Sequence, residues 1–547
     1  MSTLNILFTS MDSVGHVNCC LGVAELLKAR GHKITFTLKK AWEPSIKKHG
    51  FDFIELVLKE EEKQEAPAKT CQKSQSSEKT IESISTDSNS PSCCARKVSP
   101  PEEKKTVESC CQKETNPSGG CCRKIQKSAI EEKGCCKVVE KVEDSSCCRK
   151  KQSEESGDKV GDEKKKSDTI DGPNKFLVNF VRKNIESYRR TPMENVKRPH
   201  DPESEKMFMD FYRQMHALNE PIDEVIKKIK PDVVIIDFMS KLPCLMKSDV
   251  PWVQIWSPNP MALYGKALPP WSTGFPTDSP KELWEEYRGY AKSKSKKTDE
   301  LNVQFLEKHG LKPTPEDCEN FFLFESPYLN LYPYPEVLDY HDIAPRPKLW
   351  FRMDSSVREP DEKTPFVLPE KLANKPGKLI YFSLGSMGSV DVELMRNVIR
   401  VLTKTPYRVI VSKGPLHDQI ELPDNMWGDK YVNQLAILPH VDLVITHGGN
   451  NTLTESLYFG KPLIVLPLFI DQLDNAQRVQ EKKLGIRLNT YRFKDEELLE
   501  AIEKSLNDKD LHKRLAEVSQ QLKTSKTSQQ VCDLVEKLAK TKKCPLE

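Results

Sequence analysis

From Lys59 to Gly172 the chain contains no Phe, Trp, Tyr, Leu, Met or His. A stretch without those side chains lacks the apolar area that would offset the entropy of ordering it, so a disordered insertion is expected there. Nowhere does an apolar run approach the ~20 residues of a membrane-spanning helix. The opening residues, MSTLNILFTSMDSVGH, lack the basic stretch and long apolar core of a signal peptide. These absences point to a cytoplasmic protein with reduced thiols. Nor is one sign of charge in excess. With 84 Lys and Arg against 81 Asp and Glu, the net charge of +3 argues against nucleic acid as a partner.

What the insertion does contain is cysteine. Of 17 cysteines, ten form five adjacent pairs: Cys93 with Cys94, Cys110 with Cys111, Cys121 with Cys122, Cys135 with Cys136, and Cys147 with Cys148. Each pair follows Ser or Gly and precedes a basic residue within two positions, a degenerate repeat. Three readings stand side by side. Thiolates from different pairs could gather a soft metal ion, although the absence of His and of CxxC spacing excludes a standard zinc finger. Paired cysteines beside lysines also suit reversible acylation. The third is a neutral expansion of a surface loop, which costs little stability.

The rest of the 547-residue chain reads as alternating strands and helices. Leu4 to Thr9 is a strand, Ser10 to Val17 a loop, Leu21 to Lys28 a helix ended by Gly31, and Lys33 to Thr37 and Phe51 to Leu58 are further strands. The GxGxxG fingerprint is missing from the first turn, which excludes a dinucleotide site there. That turn instead carries His16 at the carboxyl end of the first strand. A lone loop histidine is most often structural. Its expected partner is Asp237, delivered at the end of the strand Asp232 to Ile236. In a parallel sheet the ends of two central strands share one rim. A carboxylate on the far ring nitrogen would fix the tautomer and stabilise imidazolium. Between Ser257 and Leu311, Pro258, Pro260, Pro269, Pro270, Trp271, Phe275 and Pro276 suggest irregular loops with apolar surface, either an acceptor pocket or plain packing.

A second series begins at Leu379 to Leu384 and continues through Tyr407 to Ser412. It culminates in Asp442 to Gln480, DLVITHGGNNTLTESLYFGKPLIVLPLFIDQLDNAQRVQ. The reading is a strand to Thr446, a break at His447, Gly448 and Gly449, and a helix capped among Asn450, Asn451 and Thr452. A strand from Pro462 to Phe469 and a polar loop from Asp471 follow. A glycine turn before a helix start favours an anion, because free N–H groups and the helix dipole meet there. His447 and Thr452 add donors. Glu455 has acceptor oxygens for a ribose diol, and Asp471 with Gln472 for sugar hydroxyls. An ordinary capped turn is the plain alternative.

This stretch resembles the donor-binding signature of the UDP-dependent glycosyltransferases, which move sugars from UDP-sugars to small lipophilic acceptors. The resemblance implies the α/β GT-B fold, with two Rossmann-like domains facing across a cleft. Residues 1–58 with 173–350 would bind the acceptor, 59–172 would be the insertion, 351–377 the linker, and 378–547 the donor-binding domain. Gly15, His16, Val17 and Asn18 match the family's base motif, with Cys19 where many members have proline. Asp237 matches the family's catalytic aspartate. Ser386 in SLGS, Gly449, Asn451 and Thr452 would meet the diphosphate. Tyr431 to Gln434, YVNQ, corresponds to WxPQ, so Tyr431 would stack on uracil beside Gln434.

The expected activity is inverting transfer of a hexose, with UDP-glucose the anticipated donor, no further cofactor and no active-site metal, since no DxD-like metal site is visible among these loops. Oligomeric state is not legible. Two other classes remain open: a catalytically silent nucleotide-sugar-binding protein, and a thiol-rich metal or redox buffer on a glycosyltransferase scaffold.

Overall fold

The computed structural model describes residues 3–58, 175–199, 201–314, 322–358 and 366–546. The insertion 59–172 and its cysteine pairs lie outside the described residues. Among the described residues thirteen strands form two sheets, every pairing parallel. The first sheet contains β1 (Asn5–Ser10), β2 (Lys33–Leu38), β3 (Asp52–Glu55), β4 (Val233–Asp237), β5 (Trp252–Ile255), β6 (Leu329–Pro333) and β7 (Trp350–Met353). Their order is β3-β2-β1-β4-β5-β6-β7. The second contains β8 (Leu379–Ser383), β9 (Arg408–Ser412), β10 (Met426–Asp429), β11 (Leu443–Thr446), β12 (Leu463–Val465) and β13 (Gly485–Arg487), in the order β10-β9-β8-β11-β12-β13.

The sequence dictates this layering. Strands covered on both faces need apolar residues at every position, and alternate residues then serve different cores. In β1, Ile6 and Phe8 join one cluster with Val233 and Ile235, while Leu7 joins another with Val234 and Ile236. In the second sheet Ile380, Phe382, Val409 and Val411 face one cluster. Leu379, Tyr381, Ile410 and Val444 face another, which continues through Tyr332 of β6 and through Trp256 and Tyr334 just past β5 and β6. The two-sheet arrangement is the GT-B fold.

Several boundaries differ from expectation. The first helix spans Val14–Ala29, so His16 sits in its first turn and not in a loop. Strand β7 carries the first sheet into the expected linker. The stretch after Ser257 is not all loop, because Lys281–Lys308 is a 28-residue helix. The strand expected from Pro462 to Phe469 is short, yet Leu466, Leu468 and Phe469 are still buried.

Two helices also pack away from their sequence neighbours. On the helix Lys175–Tyr188, Val178 and Val181 enter the second sheet's core, and the Tyr188 ring lies 4.8 Å from Phe469. On the final helix, Thr527–Thr541, Val531, Cys532, Val535 and Leu538 enter the first sheet's core. Glu536 there meets the buried His32 Nε2 at 3.1 Å. Segment 378–547 therefore supplies part of the amino-terminal domain.

Candidate active site

Each sheet has one point where the strand order reverses, and ligands of open parallel sheets bind outside such points. In the first sheet it lies between β1 and β4, whose register sets Ser10 opposite Asp237. His16, one turn into the helix that follows β1, brings Nδ1 to 2.8 Å from Asp237 Oδ1. The Ser257 hydroxyl, just past β5, lies 3.0 Å from the same nitrogen. The Asp237 side chain is 1% exposed and that of His16 12%. Burial pulls the imidazole pKa down, but the charge and hydrogen bond of Asp237, with the charge of Asp471, outweigh it and leave it above the ordinary histidine value. With the Nδ1 proton held by Asp237, the neutral ring carries its lone pair on Nε2. Burial, reinforced by Asp237, pushes the Cys19 and Cys20 thiols well above their usual pKa, so neither is a ready nucleophile.

The second sheet reverses between β8 and β11. After β8 comes the short helix Gly385–Gly388 with Ser386; after β11 comes His447. A Cβ on Gly385 would lie 2.7 Å from His447 Cε1, and one on Gly449 2.5 Å from Nε2. Only glycine on both sides lets the two turns close on that ring. Burial lowers the His447 pKa to about 4, so the ring is neutral at pH 7 and keeps one N–H to donate.

The helix Asn450–Tyr458 begins after Gly449 with no side-chain cap, contrary to the capping role expected of Asn450 to Thr452. Those side chains are drawn elsewhere. Asn450 Nδ2 donates to Ser257 O at 2.8 Å and Pro333 O at 3.1 Å, and Asn451 Nδ2 to Gly15 O at 2.9 Å. Thr452 Oγ1 lies 3.3 Å from Gln434 Nε2. The helix start keeps backbone N–H groups and its positive dipole end for an anion.

Glu455, one turn on, is buried and accepts from Gln434 Nε2 at 2.5 Å, while Tyr381 OH donates to Gln434 Oε1 at 3.2 Å. Burial raises the Glu455 pKa, opposed by the Arg358 charge and the Gln434 bond. Tyr431 is 54% exposed, its ring free to take a flat partner on one face.

Asp471 opens the helix Asp471–Glu481, and its Oδ2 accepts from Asn259 N across the domains at 3.0 Å. Burial raises its pKa to about 6. Gln472 Oε1 turns back to accept from Leu468 N at 3.1 Å, which leaves its amide nitrogen as the group able to meet a ligand. The structure thus gathers the expected residues at two facing rims. Sequence reasoning missed the groups that bind the rims together. Asn259 bonds Asp471 through its backbone, and its amide reaches Asn475 at 2.8 Å and the Tyr334 and Tyr340 hydroxyls at 3.0 Å each. Asp474 accepts from Ser272 N and Gly274 N at 2.7 and 2.8 Å. Their one signal was position, polar residues directly after β5 and beside Asp471. Among the described residues no cluster of three or more His, Cys, Asp or Glu side chains is arranged to hold a metal ion.

Two parallel sheets with facing reversal points, one bearing a His–Asp pair and the other an uncapped helix start, define a GT-B glycosyltransferase scaffold. Residues 351–525 match the family described as UDP-glucoronosyl and UDP-glucosyl transferase. That region, about a third of the chain, is similar to the UDP-glycosyltransferase family. The chain is 28% identical over 167 residues to an uncharacterized UDP-glucosyltransferase, YojK, of Bacillus subtilis (strain 168), covering 30% of this chain and 41% of that protein. With UDP-glucuronosyltransferase 2B10 of Homo sapiens it shares 32% identity over 145 residues, 26% of this chain and 27% of that protein. The chain thus spans less than half the length of these curated relatives. The crystal structure of the glycotransferase of kitacinnamycin superposes with a TM-score of 0.57 at 15% identity, covering 98% of this chain and 99% of that one. No described helix is long and apolar enough to cross a membrane.

Proposed function

We propose that the protein is an inverting glycosyltransferase that moves a hexose, from UDP-glucose in the first instance, to the hydroxyl of a small lipophilic acceptor. The observation that carries this reading is the His16–Asp237 pair, 2.8 Å apart at one rim, with Asn451 of the opposite helix start donating at 2.9 Å to Gly15 O in the helical turn that holds His16. His16 Nε2 removes the acceptor proton as the oxygen attacks the anomeric carbon, and the buried Asp237 stabilises the imidazolium that forms. The departing UDP carries growing negative charge. The N–H groups at Asn451 and Thr452, with His447 and Ser386, meet it without moving. Glu455 takes the ribose hydroxyls and Tyr431 the uracil face. Asp471 and Gln472 take sugar hydroxyls, and apolar loops around Trp271 take the acceptor. Conjugation of lipophilic small molecules in the cytoplasm, as in detoxification, is the physiological role that fits such substrates.

The test is a mass-spectrometric screen of the purified protein with several UDP-sugars against phenols and lipophilic alcohols. Conjugates with a hexose mass increment are the expected result. Binding of UDP without any transfer or hydrolysis across the panel would favour a silent nucleotide-sugar-binding protein instead.

A further inference from the structure

In the polar loop, Ile470 holds an uncommon conformation, with φ 53° and ψ −138°. A β-branched residue there is a steric outlier, since its side chain crowds the neighbouring carbonyl; glycine would occupy the same backbone without cost. Ile470 is also 41% exposed, directly after a run, Pro462 to Phe469, that is buried throughout. Strain and exposure both disfavour isoleucine at this position, and packing offsets neither. What lies beside it is the presumed sugar subsite, with Asp471 next in the chain and Gln472 after it.

The negative charge of this loop comes chiefly from Asp471, since burial raises the pKa of the fully buried Asp474 to about 7. The two arginines of the region are committed elsewhere: Arg478 donates to Leu338 O and Asp339 O and pairs with Asp342, and Arg487 donates to Gly274 O and Gln477. The imidazole of His16 is held by Asp237. A sugar carboxylate arriving here would meet a sec-butyl wall and like charge, and would lose its hydration for no new partner.

We propose that Ile470 is a specificity-determining residue of the donor site, an apolar wall that together with Asp471 selects uncharged hexoses over uronic acids. The proposal rests on the donor reading above and names the sugar class that reading leaves open. It is tested by measuring kcat/KM for UDP-glucose and UDP-glucuronate, with calorimetric titration of UDP, in the wild type and in Ile470→Ala and Ile470→Gly. The alanine variant keeps the strained backbone and removes most of the wall; the glycine variant removes both.

The wild type is expected to prefer UDP-glucose by roughly tenfold or more, and both variants to narrow that preference by about threefold or more. UDP affinity stays unchanged, and Ile470→Gly melts no lower than the wild type. UDP binding with an unchanged donor ratio in both variants, or a wild-type preference for UDP-glucuronate, overturns the role of Ile470 alone. Failure of the wild type to bind UDP overturns the donor reading and this one with it.

Discussion

At the rim of the first sheet the two groups proposed for catalysis hold each other: His16 and Asp237 are 2.8 Å apart, on the helix that follows β1 and at the end of the adjacent strand β4. At the rim of the second, each ligand-facing group is held by something brought from elsewhere. Glu455 is held by Gln434, Asp471 by Asn259 of the other domain, and Asn451 reaches over to Gly15. The proposed base is therefore assembled within one domain, while the proposed donor half is tied into the contact between domains. Domain movement should leave the first almost untouched and rearrange the second.

Three substitutions probe that contrast. Asp237→Asn should have the largest effect, because it removes the charge that stabilises imidazolium and replaces a carboxylate oxygen with an amide donor that no longer fixes the Nδ1–H tautomer. Transfer should fall roughly a hundredfold or more, with UDP affinity unchanged by calorimetry. Glu455→Ala should do the reverse and spare the base. Loss of a hydrogen bond to a charged group, with Gln434 Nε2 left only its longer bond to Thr452, weakens UDP binding by roughly tenfold to a hundredfold.

The smallest effect is expected of Asp471→Asn on the pH profile. Raised above the usual value, the His16 pKa makes kcat/KM fall as pH drops through it, since only the neutral ring accepts a proton. Asp471, whose own pKa is about 6, contributes negative charge above that pH and so holds the His16 value up. Its removal should move the acid limb of kcat/KM to lower pH by about one unit or less. An upward movement would show that Asp471 does not act on the base.

The same contrast explains what could be read from sequence. Asp237 was legible because an apolar strand ending in a carboxylate announces both its burial and its rim, and β1–β4 adjacency follows from parallel-sheet topology. The glycines around His447 were legible as a turn. Asn450 was misread as a cap. Local capping propensity competed there with two backbone carbonyls of the other domain, Ser257 O and Pro333 O, and the distant partners won. Asn259 and Asp474 were missed for the same reason, since their partners lie about 200 residues away in the chain. The packing of the final helix on the first sheet was not legible, because its apolar stripe of Val531, Val535 and Leu538 shows only that a face is buried.

The most direct test of the division between base and donor site is to titrate UDP into His16→Ala and, on the same preparation, measure transfer to an acceptor that the wild type conjugates. Wild-type UDP affinity with transfer lowered at least about a thousandfold is the predicted result. Near-normal turnover would contradict the assignment of His16 as the base.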